Sequence, residues 1–179
     1  MQELSYFAYG SNLFSARLRA RVPGCLPLHA ARLDGFELCF HKAGMDGSGK
    51  CNALPVSHRK SAVHGMVWSF PRQEKPQLDA AEGLGRGYRE AGIEVCLANG
   101  TRLTAFTYLA THIDGRLRPF DWYLEHVLAG AREWDLPPAY TRGISITPAV
   151  PDPDHERAAR EWSLHRGQAE AGRGPASGS

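Results

Sequence analysis

Residues 88–110, YREAGIEVCLANGTRLTAFTYLA, constrain this chain more than any other stretch. Ile93, Val95 and Leu97 alternate with other residues, the turn dipeptide Asn99-Gly100 follows, and Leu103, Ala105, Thr107 and Leu109 alternate again. Two period-two runs around such a dipeptide specify an antiparallel hairpin, whose open edges further strands must cover. Those strands are expected elsewhere in the chain. Residues 4–9, LSYFAY, form a short aromatic run that stops at Gly10; FELCFHK, within residues 26–42, follows the turn-prone Asp34-Gly35; and AVHGMVWSF carries Val63, Val67 and Phe70 as inward residues.

Helical signals fall between and after these runs. Ser11 or Asn12 can cap a helix that carries Leu13, Leu18 and Val22 and ends at Pro23-Gly24. In PRQEKPQLDAAEGLG, Leu78 and Ala81 lie three apart on a short helix stopped by Gly83, Gly85 and Gly87. Asp121 to Trp134 has Trp122, Leu124, Val127, Leu128 and Ala131 at helical spacing, with DLPPAY breaking it, and Asp152-Pro153 starts a last helix. Because most strands are consecutive or joined by hairpins, the expected class is α+β: a small mixed, mostly antiparallel β-barrel flanked by helices. The segment AGMDGSGKCN reads as a loop, and it lacks the GxxxxGK-[ST] spacing of a phosphate-binding loop.

A chain of 179 residues with 42% hydrophobic residues can bury one core without metals or disulfides. We expect a single domain over residues 1–166 and a disordered tail over 167–179, which is Gly-rich and poor in apolar residues. A net charge of +2 is too balanced for nucleic acid to be the default partner, and SHRKS at 57–61 reads as a solvated loop. No window resembles a membrane span and MQELSYFAYG lacks a secretory layout, so the expected location is cytoplasmic. Cys25, Cys39, Cys51 and Cys96 form no CxxC pair and read as reduced, small buried hydrophobes. The eight histidines show no metal-ligand spacing and no G-x-S-x-G elbow is present, so neither a metal centre nor a serine nucleophile is expected.

Two short blocks carry chemistry. Tyr9-Gly10-Ser11-Asn12 can present backbone N–H groups to an anionic or oxyanionic group at a helix start, although it can equally be a simple capped connection. Glu82 sits at a helix C-terminus, where the dipole disfavours negative charge, among glycines 83, 85 and 87 and shortly before Tyr88. A solvated glutamate would read the same way; its company suggests a proton carrier.

YFAYGSNL, then LDAAEG followed shortly by Tyr88, then WYLEHVLAGAREWDLPPAY, together resemble the γ-glutamylcyclotransferase family, within the AIG2-like superfamily, in order and rough spacing over most of residues 4–146. The resemblance implies that Tyr9, Gly10, Ser11, Asn12 and Leu13 line a substrate site and that Glu82 is the catalytic acid or base. It also matches Tyr88 and Tyr123 to tyrosines beside the substrate, Tyr88 across a GLGRGY segment one residue shorter than some members carry, and Tyr123 at a position that also suits a half-buried core tyrosine. The implied reaction is ring closure of a γ-glutamyl compound to 5-oxoproline, releasing an amine or amino acid, with no cofactor. A small γ-glutamyl molecule is then the partner, and the protein a monomer or homodimer. A proton carrier of this kind calls for a partly buried Glu82 of raised pKa. The alternative is a non-catalytic protein that holds a small anionic metabolite in the same pocket. The segment AGMDGSGKCNALP has no evident counterpart in the family and is where selectivity could reside.

Overall fold

The structure is a computed structural model and describes residues 2–57 and 61–171. Seven strands follow in the order β1 (Glu3–Ala8), β2 (Leu26–Asp34), β3 (Phe36–Ala43), β4 (Gly49–Pro55), β5 (Ala62–Pro71), β6 (Tyr88–Leu97) and β7 (Arg102–Ala110). Five helices accompany them: α1 (Ser15–Arg21), α2 (Lys75–Glu82), α3 (Asp121–Glu133), α4 (Pro138–Ser145) and α5 (His155–Ala171). Five strands close a barrel in the order β1-β5-β2-β6-β7, and β3-β4 form a separate two-stranded sheet. Every barrel seam is antiparallel except β1 with β7, which is parallel through Tyr6 and Phe106. The mixed, mostly antiparallel barrel expected from the sequence is therefore present.

The 88–110 hairpin forms with Ile93 opposite Ala105. Its turn works differently from a pair of left-handed residues: Gly100 alone has positive φ (83°), while the Asn99 side chain accepts a hydrogen bond from Thr101 N–H at 2.9 Å. The short parallel seam is held by side chains, since Thr107 Oγ1 donates to Phe7 O at 2.8 Å and Tyr9 Oη donates to Tyr108 O at 2.5 Å. Phe7, Val63, Val67, Trp68 and Phe70 are completely buried, so β5 is covered on both of its faces.

Several local expectations give way. No side chain of the turn caps α1; a 3₁₀ turn at Ser11–Leu13 intervenes, and Ser15 N–H donates instead to Glu133 Oε2 of α3 at 3.0 Å. The physical reason is that Ser11 and Asn12 spend their side chains elsewhere. AGMDGSGKCN is only partly a loop, because Gly49 to Asn52 belong to β4. Ala81 is exposed although Leu78 is fully buried. The prolines of DLPPAY end α3 but also start α4, with Pro138 at a first-turn position where a missing N–H costs nothing. Cys25 and Cys51 are buried, whereas Cys39 and Cys96 are half-buried.

Helix α5 continues to Ala171, past residue 166, and residues 172–179 lie outside the described residues, as do His58, Arg59 and Lys60 of the basic stretch. No helix among the described residues is long and apolar enough to cross a membrane.

Candidate active site

Strand β1 delivers the chain to Gly10 at one end of the barrel, and helix α3 presses the following turn into place. A Cβ on Gly130 of α3 would lie 2.4 Å from Leu13 C and 2.5 Å from Phe14 N, so only glycine permits this contact. Trp134 Nε1 donates to Leu13 O at 2.8 Å and secures the same turn. Within the turn Leu13 N–H donates to Gly10 O at 2.9 Å, while the N–H groups of Ser11 and Asn12, opening the 3₁₀ segment, have no acceptor inside it.

Asn12 links this turn to α2. Its Nδ2 donates to Glu82 Oε1 at 2.8 Å and to Tyr6 Oη at 3.1 Å, and its Oδ1 accepts from the Arg21 guanidinium at 2.6 Å. Arg21 also donates to Glu82 Oε1, at 2.8 Å. Both donors converge on Oε1, and among the described residues no donor reaches Oε2. Glu82 is partly buried, its side chain 15% exposed, but it faces a guanidinium and an amide rather than an apolar wall.

A cavity of about 290 Å³ opens in front of Glu82. Helix α1 contributes Arg17 and Arg21, β3 and its turn Lys42, Met45 and Asp46, β4 Lys50, β6 Tyr88, α3 Trp122 and Tyr123, and α5 Arg157 and Glu161. Six of the lining side chains are Lys or Arg and three are Asp or Glu, a local surplus of cations that favours an anionic ligand. Lys50 Nζ lies 4.7 Å from the Tyr123 ring centre and donates to Asp46 Oδ2 at 2.6 Å.

The sequence comparisons agree on a relationship. Residues 62–144 match the model of the AIG2-like family. γ-Glutamylcyclotransferase of Mus musculus is 32% identical over 139 residues, covering 75% of this chain and 73% of that protein. The Homo sapiens γ-glutamylcyclotransferase is 31% identical over 139 residues, again covering 75% and 73%. The chain belongs to the γ-glutamylcyclotransferase family. A solved γ-glutamyl cyclotransferase structure superposes with a TM-score of 0.76 at 26% identity, over 83% of this chain and 90% of that one.

Within this γ-glutamylcyclotransferase-type chain the residues singled out from the sequence separate into two groups. Ser11, Glu82, Tyr88 and Tyr123 line the cavity, whereas Tyr9, Gly10, Asn12 and Leu13 stand behind it. Gly10 answers to its own chain: a Cβ there would lie 3.0 Å from Cys51 Cβ and 3.4 Å from Tyr123 Oη. Cys51 N–H donates to Tyr123 Oη at 3.0 Å and Tyr88 Oη donates to Cys51 O at 2.5 Å, so both tyrosines grip one residue of β4. Burial pushes the phenols of Tyr9, Tyr88 and Tyr123 well above their ordinary range and raises the Cys51 thiol to about 12. These groups stay protonated at neutral pH and serve as donors and walls.

Sequence reasoning missed Arg17, Arg21, Lys42, Lys50, Cys51, Arg157 and Glu161. The i,i+4 pair Arg17 and Arg21 directly after YGSN was the available signal for α1. Arg17 donates to Ser11 Oγ at 3.1 Å and pairs with Glu161. Glu161 also accepts from His126 Nε2 at 2.9 Å, which leaves His126 Nδ1 to accept from His165 Nε2 at 2.9 Å. Burial lowers His126 to about 4, and for Glu161 the upward pull of burial is outweighed by His126 and Arg17, which hold it at about 2.

Proposed function

We propose that the protein is an acid/base γ-glutamylcyclotransferase that closes a γ-glutamyl compound into 5-oxoproline and frees an amine or amino acid. The observation that carries this reading is the meeting of Asn12 and Glu82, seventy residues apart, at 2.8 Å on the edge of a cation-lined cavity. With Oε1 held by Asn12 and Arg21, Oε2 faces the reaction. The substrate's α-ammonium gives a proton to Oε2, the freed amine attacks the γ-carbonyl carbon, and a ring C–N bond forms. The tetrahedral intermediate collapses and the old amide C–N bond breaks as the leaving nitrogen takes the proton back from Glu82; the second proton, left on the ring nitrogen, passes through the same carboxylate to the departing amine, which leaves as an ammonium. Atoms and charges balance without water, metal or redox cofactor.

The negative oxygen of the intermediate needs donors fixed in advance, and the N–H groups of Ser11 and Asn12 supply them at the start of the turn. Each such donor is typically worth about 3 kcal/mol of barrier. The aromatic walls Tyr88, Trp122 and Tyr123 fold the substrate so that amine and carbonyl meet, a proximity effect of several kcal/mol. Glu82→Gln keeps the shape and the Arg21 contact but cannot carry the proton, so 5-oxoproline release is expected to fall by about 100-fold or more while substrate binding survives. Normal turnover in that variant would show that Glu82 is not the proton carrier.

A further inference from the structure

Most cations on the cavity wall already hold an anion of the chain. Arg17 pairs with Glu161, Arg21 with Glu82, Lys50 with Asp46 and Arg157 with Asp152. Lys42 does not: it is only 7% exposed, it lines the cavity, and among the described residues its ammonium has no hydrogen-bond acceptor and no ion pair. What surrounds it is the Tyr88 ring, with Nζ 4.7 Å from the ring centre, and the backbone of Gly87. A Cβ on Gly87, whose φ is 158°, would lie 2.8 Å from Lys42 Cε and 2.9 Å from Nζ, so the glycine leaves the room in which the ammonium lies. The Lys42 side chain is mostly buried and its charge meets only the cavity, with no counter-ion, so its natural completion is an anion that arrives with the ligand.

Lys42 and Glu82 line the same cavity; burial lowers the Lys42 pKa, and the charges of Glu82 and Asp46 oppose that shift. In a γ-glutamyl group the α-carboxylate is attached to the same carbon as the amine that Glu82 must deprotonate. An anchor for that carboxylate must therefore stand beside Glu82, and Lys42 is the buried cation there that no chain carboxylate occupies. Arg86 also lines the cavity but is exposed, where a salt bridge is worth far less.

We infer that Lys42 is a specificity-determining residue that binds the free α-carboxylate of the γ-glutamyl group, confining the site to ligands that carry one. The inference rests on the ring-closure reading, and it leaves the Ser11 and Asn12 N–H groups to the attacked carbonyl. Lys42 sits on the hairpin of β3 and β4, which carries the segment without an evident counterpart in the family.

Titration calorimetry with 5-oxoproline, which keeps the carboxylate, and with its carboxamide tests this without turnover. Wild type should bind the acid about tenfold to a hundredfold more tightly than the amide, the usual span for a charge-assisted hydrogen bond. Lys42→Met, nearly isosteric, should bind the two alike; Lys42→Gln serves if the Met variant does not fold, as checked by thermal melting. No preference in wild type, or a preference retained in either variant or lost instead in Arg86→Met, overturns the assignment. Rates on a γ-glutamyl substrate and its α-carboxamide separate the two readings. Acid preference in binding with no 5-oxoproline released sinks the reaction and keeps the anchor, whereas turnover whose α-carboxylate preference survives Lys42→Met sinks the anchor alone.

Discussion

The Asn12 side chain holds Glu82 and Arg21 at once and does not line the cavity, so truncating it leaves the backbone N–H in place and its contribution can be measured apart from that donor. Asn12→Ala should lower kcat by about tenfold or more while altering KM little, because Glu82 loses the donor that orients it. The folded state should lose roughly 1–3 kcal/mol, since Tyr6 loses its Asn12 partner and Arg21 keeps only Glu82 in a nearly closed space. Steady-state kinetics and thermal melting read the two effects separately. Cys51, although it stands between two site tyrosines, has a thiol raised to about 12 by burial and should resist iodoacetamide in the native protein, whereas half-buried Cys39 and Cys96 should be labelled first. Mass spectrometry of the native, alkylated chain decides this. Glu82 and YGSN were singled out only because three blocks together resemble one family; taken alone, each reads as well as a capped turn or a solvated glutamate. The arginines around them were not, since nothing in an isolated Arg distinguishes a solvated side chain from one folded against a carboxylate.

Helix α3 is the element that positions the site, through Gly130, Glu133 and Trp134. Gly130→Ala would gain about 1 kcal/mol of helix propensity in isolation, yet the added Cβ meets backbone atoms that cannot move without displacing the turn. Overpacking of this kind costs roughly 1–3 kcal/mol, so a net loss of stability and a larger loss of activity are expected on melting and assay. Helix α5 closes the far wall by the His126, Glu161 and Arg17 contacts. His126 has its folded pKa lowered from 6.5 to about 4, so the unfolded chain binds more protons between these values. Stability is therefore fully present above pH 6.5 and falls as pH drops towards 4, by roughly 1–3 kcal/mol; the depressed Glu161 adds a further fall below about 4.5. Melting temperature against pH should show this slope in wild type and a shallower one between pH 6.5 and 4 in His126→Phe, the remainder coming from His41, His64 and His165, whose pKa values burial also lowers. Where α3 ends was readable from DLPPAY, but the same prolines conceal α4. A proline after a helix and a proline opening the next one look alike in sequence.

At the scale of the molecule, the strands were legible because a barrel strand covered on one or both faces writes its burial into alternation or into continuous apolar runs. Its closure was less so, since the β1–β7 seam pairs through Tyr6 and Phe106 and relies on Thr107 and Tyr9 to hold it. Phe7 lies at that seam, completely buried, and Phe7→Ala should cost roughly 3–5 kcal/mol and bring the melting temperature down sharply. The cavity was not legible at all from overall charge: a chain of net charge +2 gathers six cations on one wall from α1, β3, β4, α5 and the α2–β6 connection. Such a concentration is a product of topology, which brings distant residues to one end of the barrel. The central claim is that this wall and Glu82 together close a γ-glutamyl group on itself. The most direct test is mass-spectrometric detection of 5-oxoproline after incubating the full chain with γ-glutamyl amino acids, glutathione and γ-glutamylamines, with Glu82→Gln in parallel. We predict release of 5-oxoproline and free amine in equal amounts from at least one of them by wild type and not by the variant. Silence across the whole panel, or equal release by both proteins, would contradict it.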